Sequence, residues 1–197
     1  MDKYVITISR QFASLGRSIA QELSELLDIE FYDRDIVEAT AKRMGLKISS
    51  ISKEEEIVKS KFFKRKYPLG TAVANIQDEI FNVQKNIIQD IAKKESCIIV
   101  GRCGNEVLKD FDRSLHIYIY ASDEDRLDNC INVLQMDSKV AKKMIKEVDK
   151  ARDKYRLKYC SEVKHVHDGY DLLIDSSRFG VENSAKIIAS IIKDMFD

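Results

Sequence analysis

The runs Val5–Ile8 (VITI), Cys97–Val100 (CIIV) and Leu115–Ile119 (LHIYI) constrain the fold of this chain more than any other feature. Each is short, apolar on both faces and rich in β-branched residues. Such runs suit parallel strands covered by helices on both sides of a sheet. Leu172–Ile174 adds a weaker run, and Phe31 with Tyr32 offers the core of one more. The segments between them carry apolar residues at helical spacing: Ile19, Leu23, Leu26 and Leu27, then Ile76, Ile80, Val83, Ile87, Ile88 and Ile91. A last helix carries Val181, Ile187, Ile188, Ile191 and Ile192 and opens after Gly180. Strands alternating with helices predict a doubly wound α/β domain. A chain of 197 residues is long enough for one such domain with a full core.

Two segments fit the sheet pattern poorly and read as excursions from its periphery. Residues 45 to 75 hold the acidic triplet Glu54–Glu56, the basic–aromatic run "KSKFFKRKYPLG" and the only proline, Pro68. Residues 137 to 170 begin with a cap at Asp137 or Ser138 and continue as a long charged helix into "HVHDGYD".

Lys plus Arg and Asp plus Glu both number 33, so no global field recruits nucleic acid or a membrane surface. Any anion site must come from local clustering. Cys97, Cys103, Cys130 and Cys160 lack C-x-x-C spacing, as suits reduced thiols. The run Val5–Ile8 is too short for a signal peptide, and no stretch approaches the roughly 18 apolar residues of a membrane span. The expectation is a soluble cytoplasmic protein with neither nucleic-acid nor membrane partners; the oligomeric state is left open. His165, His167, Cys160 and Asp168 match no standard zinc spacing. The basic run Lys59 to Lys66 with Phe62 and Phe63 reads as a solvated segment rather than a single-strand binding surface.

Four stretches carry candidate chemistry. "VITISRQFASLGRSIAQEL" places Gly16-Arg17-Ser18 at a strand–helix junction, where a P-loop has G-K-S, with Gln11 in place of its first glycine. A helix N-terminus there favours an anion, and Arg17 supplies a cation. The alternative is an ordinary turn with an exposed arginine. "CIIVGRCGNEVL" brings Arg102 out at the carboxyl end of a strand, where ligands sit in open α/β sheets; otherwise Arg102 pairs with a surface carboxylate. In "DKARDKYR", Asp149, Arg152, Asp153 and Arg156 share one helix face, arranged to hold a phosphate or to form a solvated ion-pair surface. In "FYDRD", Asp33 either stands at a strand's carboxyl edge, available to a ligand's hydroxyl or amine, or simply caps the next helix; both hold if Asp33 caps and Asp35 binds, or the reverse.

Five blocks in this order resemble the cytidylate kinase-like family, related to the bacterial cytidylate kinases. They are "ITISRQFASLGRSIAQELSELLDIEFYDRDIV", "IIVGRCGNEVL", "IYASDEDRL", "DKARDKYRLKY" and "YDLLIDSSRFGVENSAKII". The resemblance spans nearly the whole chain and is loosest between about Lys47 and Leu69. It implies a P-loop three-layer α/β/α fold with a five-stranded parallel sheet. It also implies one domain over 1–197, with a helical acceptor lobe at about 33–95 and a helical lid at about 137–170. By the resemblance, Ser9 to Arg17 matches the phosphate-binding loop, so that Arg10, Ala13, Ser14, Leu15, Gly16, Arg17 and Ser18 would hold donor phosphates. Asp33, Arg102 and Asp153 match acceptor-side positions, and Arg152 and Arg156 belong to the lid. Ala13 and Leu15 stand where the family pattern has glycine, and Cys103 stands where cytidylate kinases have aspartate.

The implied activity is transfer of the ATP γ-phosphoryl to a nucleoside monophosphate, CMP or dCMP by default. Mg²⁺ would travel with ATP and touch Ser18. Arg17, Arg152 and Arg156 would be catalytic, by positioning and charge neutralisation. Two alternatives stay open: a nucleotide-binding sensor that has lost phosphoryl transfer, and a kinase of a different small acceptor.

Overall fold

A computed structural model describes residues 3–49, 51, 71–160 and 163–196. Five strands form one all-parallel sheet: β1 (Val5–Arg10), β2 (Glu30–Tyr32), β3 (Cys97–Val100), β4 (Ser114–Tyr120) and β5 (Leu172–Asp175), in the order β2-β3-β1-β4-β5. The strand cores lie where the β-branched runs predicted them, including the weak ones at Phe31 and Leu172. Helices α1 (Gly16–Leu27), α2 (Arg34–Met44), α3 (Thr71–Lys94), α4 (Gly104–Val107), α5 (Asp123–Asp128), α6 (Ser138–Tyr159) and α7 (Ser176–Phe196) connect and cover them in a three-layer α/β arrangement.

The pleat sends alternate residues of each strand to opposite faces. On one face Ile6, Ile8, Ile98, Val100, Ile117 and Ile119 pack against Ile19 and Leu23 of α1 and Ile188 and Ile192 of α7. On the other, Val5, Cys97 and Ile99 meet Ile36 of α2, Ile87 and Ile88 of α3 and Val107 of α4. Both faces are therefore dry, which is why the strands read as unbroken apolar runs. Each enclosed isoleucine contributes about 1.5–3 kcal/mol relative to exposure.

Helix boundaries follow local chemistry. The Asp137 carboxylate accepts from the N–H groups of Lys139 and Val140 and starts the 22-residue α6. Gly180 (φ 70°, ψ −177°) breaks α7, so its long amphipathic part begins after that glycine, as its spacing predicted. A π-helical turn, Asn129–Val133, follows α5. The acidic triplet Glu54–Glu56, the run Lys59–Lys66 and Pro68 lie outside the described residues. Among those described, no helix is long and apolar enough to cross a membrane, and no cluster of three His, Cys, Asp or Glu side chains could hold a metal ion.

Candidate functional site

The carboxyl end of β1, at the centre of the sheet, organises the site. After Arg10 the chain turns through residues 11–15 into α1. Ala13 (φ 60°) and Leu15 (φ 59°, ψ 17°) both adopt the left-handed conformation that favours glycine. Leu15 occupies the N-cap position of α1 and gives it no side-chain cap. The helix N-terminus, with its positive dipole end, is thus presented without a capping oxygen. Gly16 is required by contact: a Cβ there would sit 2.8 Å from the Arg10 Cβ.

Two left-handed non-glycine residues persist only where surroundings over-determine them, and here they do. Gln11 N donates to Ile119 O at 3.0 Å, and Gln11 Oε1 accepts from Ala121 N at 3.1 Å. Phe12 N donates to Asp149 Oδ1 at 2.7 Å, and Asn129 Nδ2 donates to Ala13 O at 3.0 Å. Ser14 Oγ donates to Gln11 O at 3.0 Å, and Ser176 Oγ donates to Ser14 O at 2.8 Å. Arg152 Nη1 donates to Arg10 O at 2.9 Å. The loop is shaped from β4, the π turn, α6 and α7 together.

Asp33, just before α2, is buried and offers α2 no side-chain cap. Its carboxylate is instead the meeting point of three arginines: Arg102 Nη1 at 3.2 Å, Arg17 Nε at 3.6 Å and Arg10 Nη2 at 3.7 Å. Of the capping and binding roles the sequence left open, the side chain takes up neither with the helix; it binds guanidinium groups. Arg10 and Arg102 are 17% and 11% exposed, whereas Arg17 is 56% exposed.

Arg102 is aimed by an unusual turn. Gly101 (φ 80°), Arg102 (φ 54°) and Cys103 (φ 50°) are consecutive left-handed residues, closed by Gly104 N donating to Gly101 O at 2.9 Å. A Cβ on Gly101 would run into the Arg10 guanidinium, so only glycine lets these two arginines lie side by side.

The predicted lid residues divide. Arg152 joins the site; burial lowers its pKa, and Asp149 and Asp33 act in the opposite direction. Arg156 points elsewhere: Nη2 donates to His165 O at 3.2 Å and Asp168 O at 2.6 Å, and its guanidinium lies 5.0 Å above the Tyr170 ring. Asp153 is on the exposed side of α6, where partial desolvation and Asp149 raise its carboxyl's pKa. Ser14 is buried with its hydroxyl turned inward, while Ser18 is exposed in the first turn of α1. His165 and His167 stack on each other, 5.3 Å between centroids, beside the loop that Arg156 holds.

Sequence reasoning missed three contributors. Asp149 was seen as part of a charged face, not as the partner of Phe12 N and of Arg126 Nη1. Arg126 is 4% exposed and also donates to Asp123 at 3.1 Å. Asn129 had no local signal, because its role depends on the π turn bringing it to Ala13.

The sequence profile of the cytidylate kinase-like family matches residues 5–178. Among curated proteins, none matches the chain. Among solved structures, an uncharacterized protein from Eubacterium ventriosum ATCC 27560 is similar with TM-score 0.74 and 24% identity, over 97% of this chain and 99% of that one. The shikimate kinase from Bacteroides thetaiotaomicron is similar with TM-score 0.58 and 10% identity, over 96% and 98% of the two chains. The shikimate kinase from Acinetobacter baumannii, in complex with shikimate, gives TM-score 0.55 and 15% identity over 99% and 96%.

Proposed function

Because the chain belongs to the cytidylate kinase-like family, we propose that it is an ATP-dependent kinase of a small anionic acceptor, with a nucleoside monophosphate, CMP or dCMP, as that acceptor. The observation that carries the proposal is the convergence of Arg10, Arg17 and Arg102 on Asp33, beside an uncapped helix N-terminus at the carboxyl edge of the sheet. Guanidinium groups in that arrangement match phosphate oxygens.

In this reading the donor phosphates lie against the first turn of α1, with Arg17 leaving Asp33 to meet them. Arg102 holds the acceptor phosphate. Arg152, fixed to Arg10 O, lies over the transferring group, and Arg156 joins only by leaving the 165–168 carbonyls. Asp33 keeps the arginines spaced and oriented and remains their counter-ion when no phosphate is bound. Ser18, exposed at the start of α1, offers one oxygen for the Mg²⁺ that accompanies ATP; a magnesium site of this kind needs only one or two protein oxygens beside phosphates and water. That ion supplies neutralisation of phosphate charge. Everything else is positioning and exclusion of water by the chain itself.

A second reading has one observation in its favour. Shikimate kinases share this fold, and a carboxylate among arginines also suits an acceptor bearing a hydroxyl and a carboxylate. ADP release measured with ATP·Mg²⁺ across nucleoside monophosphates and shikimate, beside calorimetry of ATP binding, tests both. Turnover with CMP or dCMP supports the proposal. Turnover with shikimate alone transfers the activity to the second acceptor. ATP binding without turnover for any acceptor overturns the kinase reading in favour of a nucleotide sensor.

A further inference from the structure

The second half of α6 carries Asp149, Arg152 and Arg156, yet no residue of the helix beyond Ile145 is buried. The first half is held by Ala141 and Ile145, which cluster with Cys130 beside Phe12 and Ala13. A buried apolar stripe therefore does not fix the part of the helix that reaches the candidate site. Side-chain contacts set its place, and α3 supplies a compact group of them.

Phe81 of α3 stacks on Tyr159, with 4.0 Å between centroids and 13° between planes. It also meets the Tyr155 ring edge-on at 6.2 Å, and the two tyrosines lie 4.7 Å apart. Both tyrosine hydroxyls are anchored on α3. Tyr155 Oη donates to Gln84 Oε1 at 3.2 Å, and Tyr159 Oη donates to Asp78 Oδ1 at 2.9 Å. Lys158 Nζ lies 2.6 Å from the same Asp78 oxygen. The α3 side of this contact is itself fixed. Gln84 is fully buried, and Phe81 packs on the core cluster of Ile36, Ile87, Ile88 and Ile99.

Asp149, Arg152, Tyr155 and Tyr159 follow at steps of three, three and four residues, so they line one face of α6. The first two bond the backbone of the loop after β1, Asp149 at Phe12 N and Arg152 at Arg10 O. The last two bond α3. One helix face thus joins the candidate phosphate loop to the helix that packs beneath the other end of the site.

We propose that Phe81, Asp78 and Gln84 are positioning residues, which hold the second half of α6 against α3 and thereby keep Asp149 and Arg152 on the loop. They act through Tyr155 and Tyr159. The proposal concerns the shape of the site and does not rest on the kinase reading. Aromatic rings suit the task, because stacked and edge-on contacts fix orientation while the hydroxyls fix height along the partner helix. The Asp78–Lys158 pair is half exposed and contributes less than the rings. An α-helix moves as a stiff rod, and Arg152 lies one turn from Tyr155. Loosening the aromatic contact therefore lets Arg152 and Asp149 drift from the loop. Arg156, held by the carbonyls of His165 and Asp168, is a second support for the same half of the helix. The expected change is loosening rather than detachment.

The test is hydrogen exchange followed by NMR on the ligand-free chain, comparing the parent with Phe81→Ala and Phe81→Tyr. In Phe81→Ala the Phe12 amide should exchange about tenfold faster than in the parent, once the change at the Ile117 and Ile119 core amides is divided out. Phe81→Tyr keeps a ring in place and should restore the parental rate. Tyr159→Phe keeps the stack but loses the bond to Asp78, and should give a smaller increase at Phe12; it carries the test if Phe81→Ala does not fold. Parental protection at Phe12 beside faster exchange at residues 155–159 overturns the proposal. So does an increase at Phe12 no larger than that at Ile117 and Ile119, which would report global stability alone. Absence of ATP binding or turnover would remove the function proposed above and leave this measurement standing.

Discussion

Asp33 Oδ1 lies 3.2 Å from Arg102 Nη1, and Arg10 and Arg17 reach the same carboxylate from the other side of the loop. One negative charge thus holds together three cations that come from β1, α1 and the turn after β3. Remove it and the arginines repel in a partly buried space. The variant Asp33→Asn should lose roughly 1–3 kcal/mol of stability, the cost of leaving charged donors short of their acceptor. It should also gain more thermal stability from added phosphate than the parent does, since an anion replaces the missing carboxylate. Urea unfolding with and without phosphate checks both. An equal phosphate response in the two proteins would remove the anion-site assignment.

Arg102→Ala separates acceptor from donor. Losing a charge-assisted contact to phosphate costs about 1.5–3 kcal/mol, or roughly 10- to 150-fold in an equilibrium constant. The acceptor KM should rise by that factor while ATP affinity by calorimetry stays within a few-fold. Equal losses for both nucleotides would place Arg102 on the wrong side of the reaction.

How much of this was legible beforehand follows from the range of each interaction. The sheet was legible because a strand buried on both faces must be apolar at every position, so Val5–Ile8 and Cys97–Val100 announce themselves locally. Gly16, Arg17, Asp33 and Arg102 were legible because each sits at a strand end or helix start within its own segment. Asn129, Arg126 and the role of Asp149 were not, since each reaches a residue more than a dozen positions away through folds that no local spacing encodes. Arg156 illustrates the converse. Its spacing on the helix face is identical in kind to that of Arg152, yet the carbonyls at His165 and Asp168 claim its guanidinium.

A buried histidine gives the fold an acid limit. His116 on β4 is buried, with Nδ1 2.8 Å from Thr7 Oγ1 and Nε2 3.2 Å from Ser114 Oγ. Burial lowers its pKa, and Asp171, whose Oδ2 accepts from His116 N at 2.8 Å, opposes that only in part. A folded-state pKa below the unfolded value of about 6.5 means that the unfolded chain binds the proton more readily. Stability is then lost as pH falls from about 6.5 towards the folded pKa. Replacing His116 with Gln should flatten this part of the stability–pH curve, as followed by urea midpoints between pH 7 and 5. An unchanged slope would assign the acid sensitivity elsewhere.

Leu15→Gly tests strain directly. A left-handed residue other than glycine costs roughly 1–2 kcal/mol, and Leu15 has φ 59°. Glycine removes that cost but makes the unfolded chain more flexible, by about 0.4–1 kcal/mol. The expected net effect is a small gain in melting temperature and tighter ATP binding, because the backbone can approach the phosphates more closely. A lower melting temperature with unchanged binding would mean that the Leu15 side chain contributes packing that outweighs the strain.

Asp149 serves two partners, and a pair of variants separates them. Its Oδ2 meets the nearly enclosed Arg126 and its Oδ1 accepts from Phe12 N. Asp149→Ala breaks both and leaves the nearly enclosed Arg126 guanidinium with only the exposed Asp123 as its ion partner, a loss at or below the roughly 3–5 kcal/mol seen for fully buried pairs, since Asp149 is 22% exposed. Replacing the pair with apolar side chains, Arg126→Met with Asp149→Leu, should restore most of that loss, because a buried ion pair contributes little beyond a well-packed apolar pair. It should not restore all of it. Phe12 N still lacks its acceptor, which leaves a deficit of about 1–3 kcal/mol, and the loop carrying Ala13 and Leu15 loses one of the contacts that hold it left-handed. Hydrogen exchange at Phe12 and the residues after it should therefore stay fast in the double variant even where global stability has recovered. Full protection there would show that Asp149 acts on the loop only through Arg126.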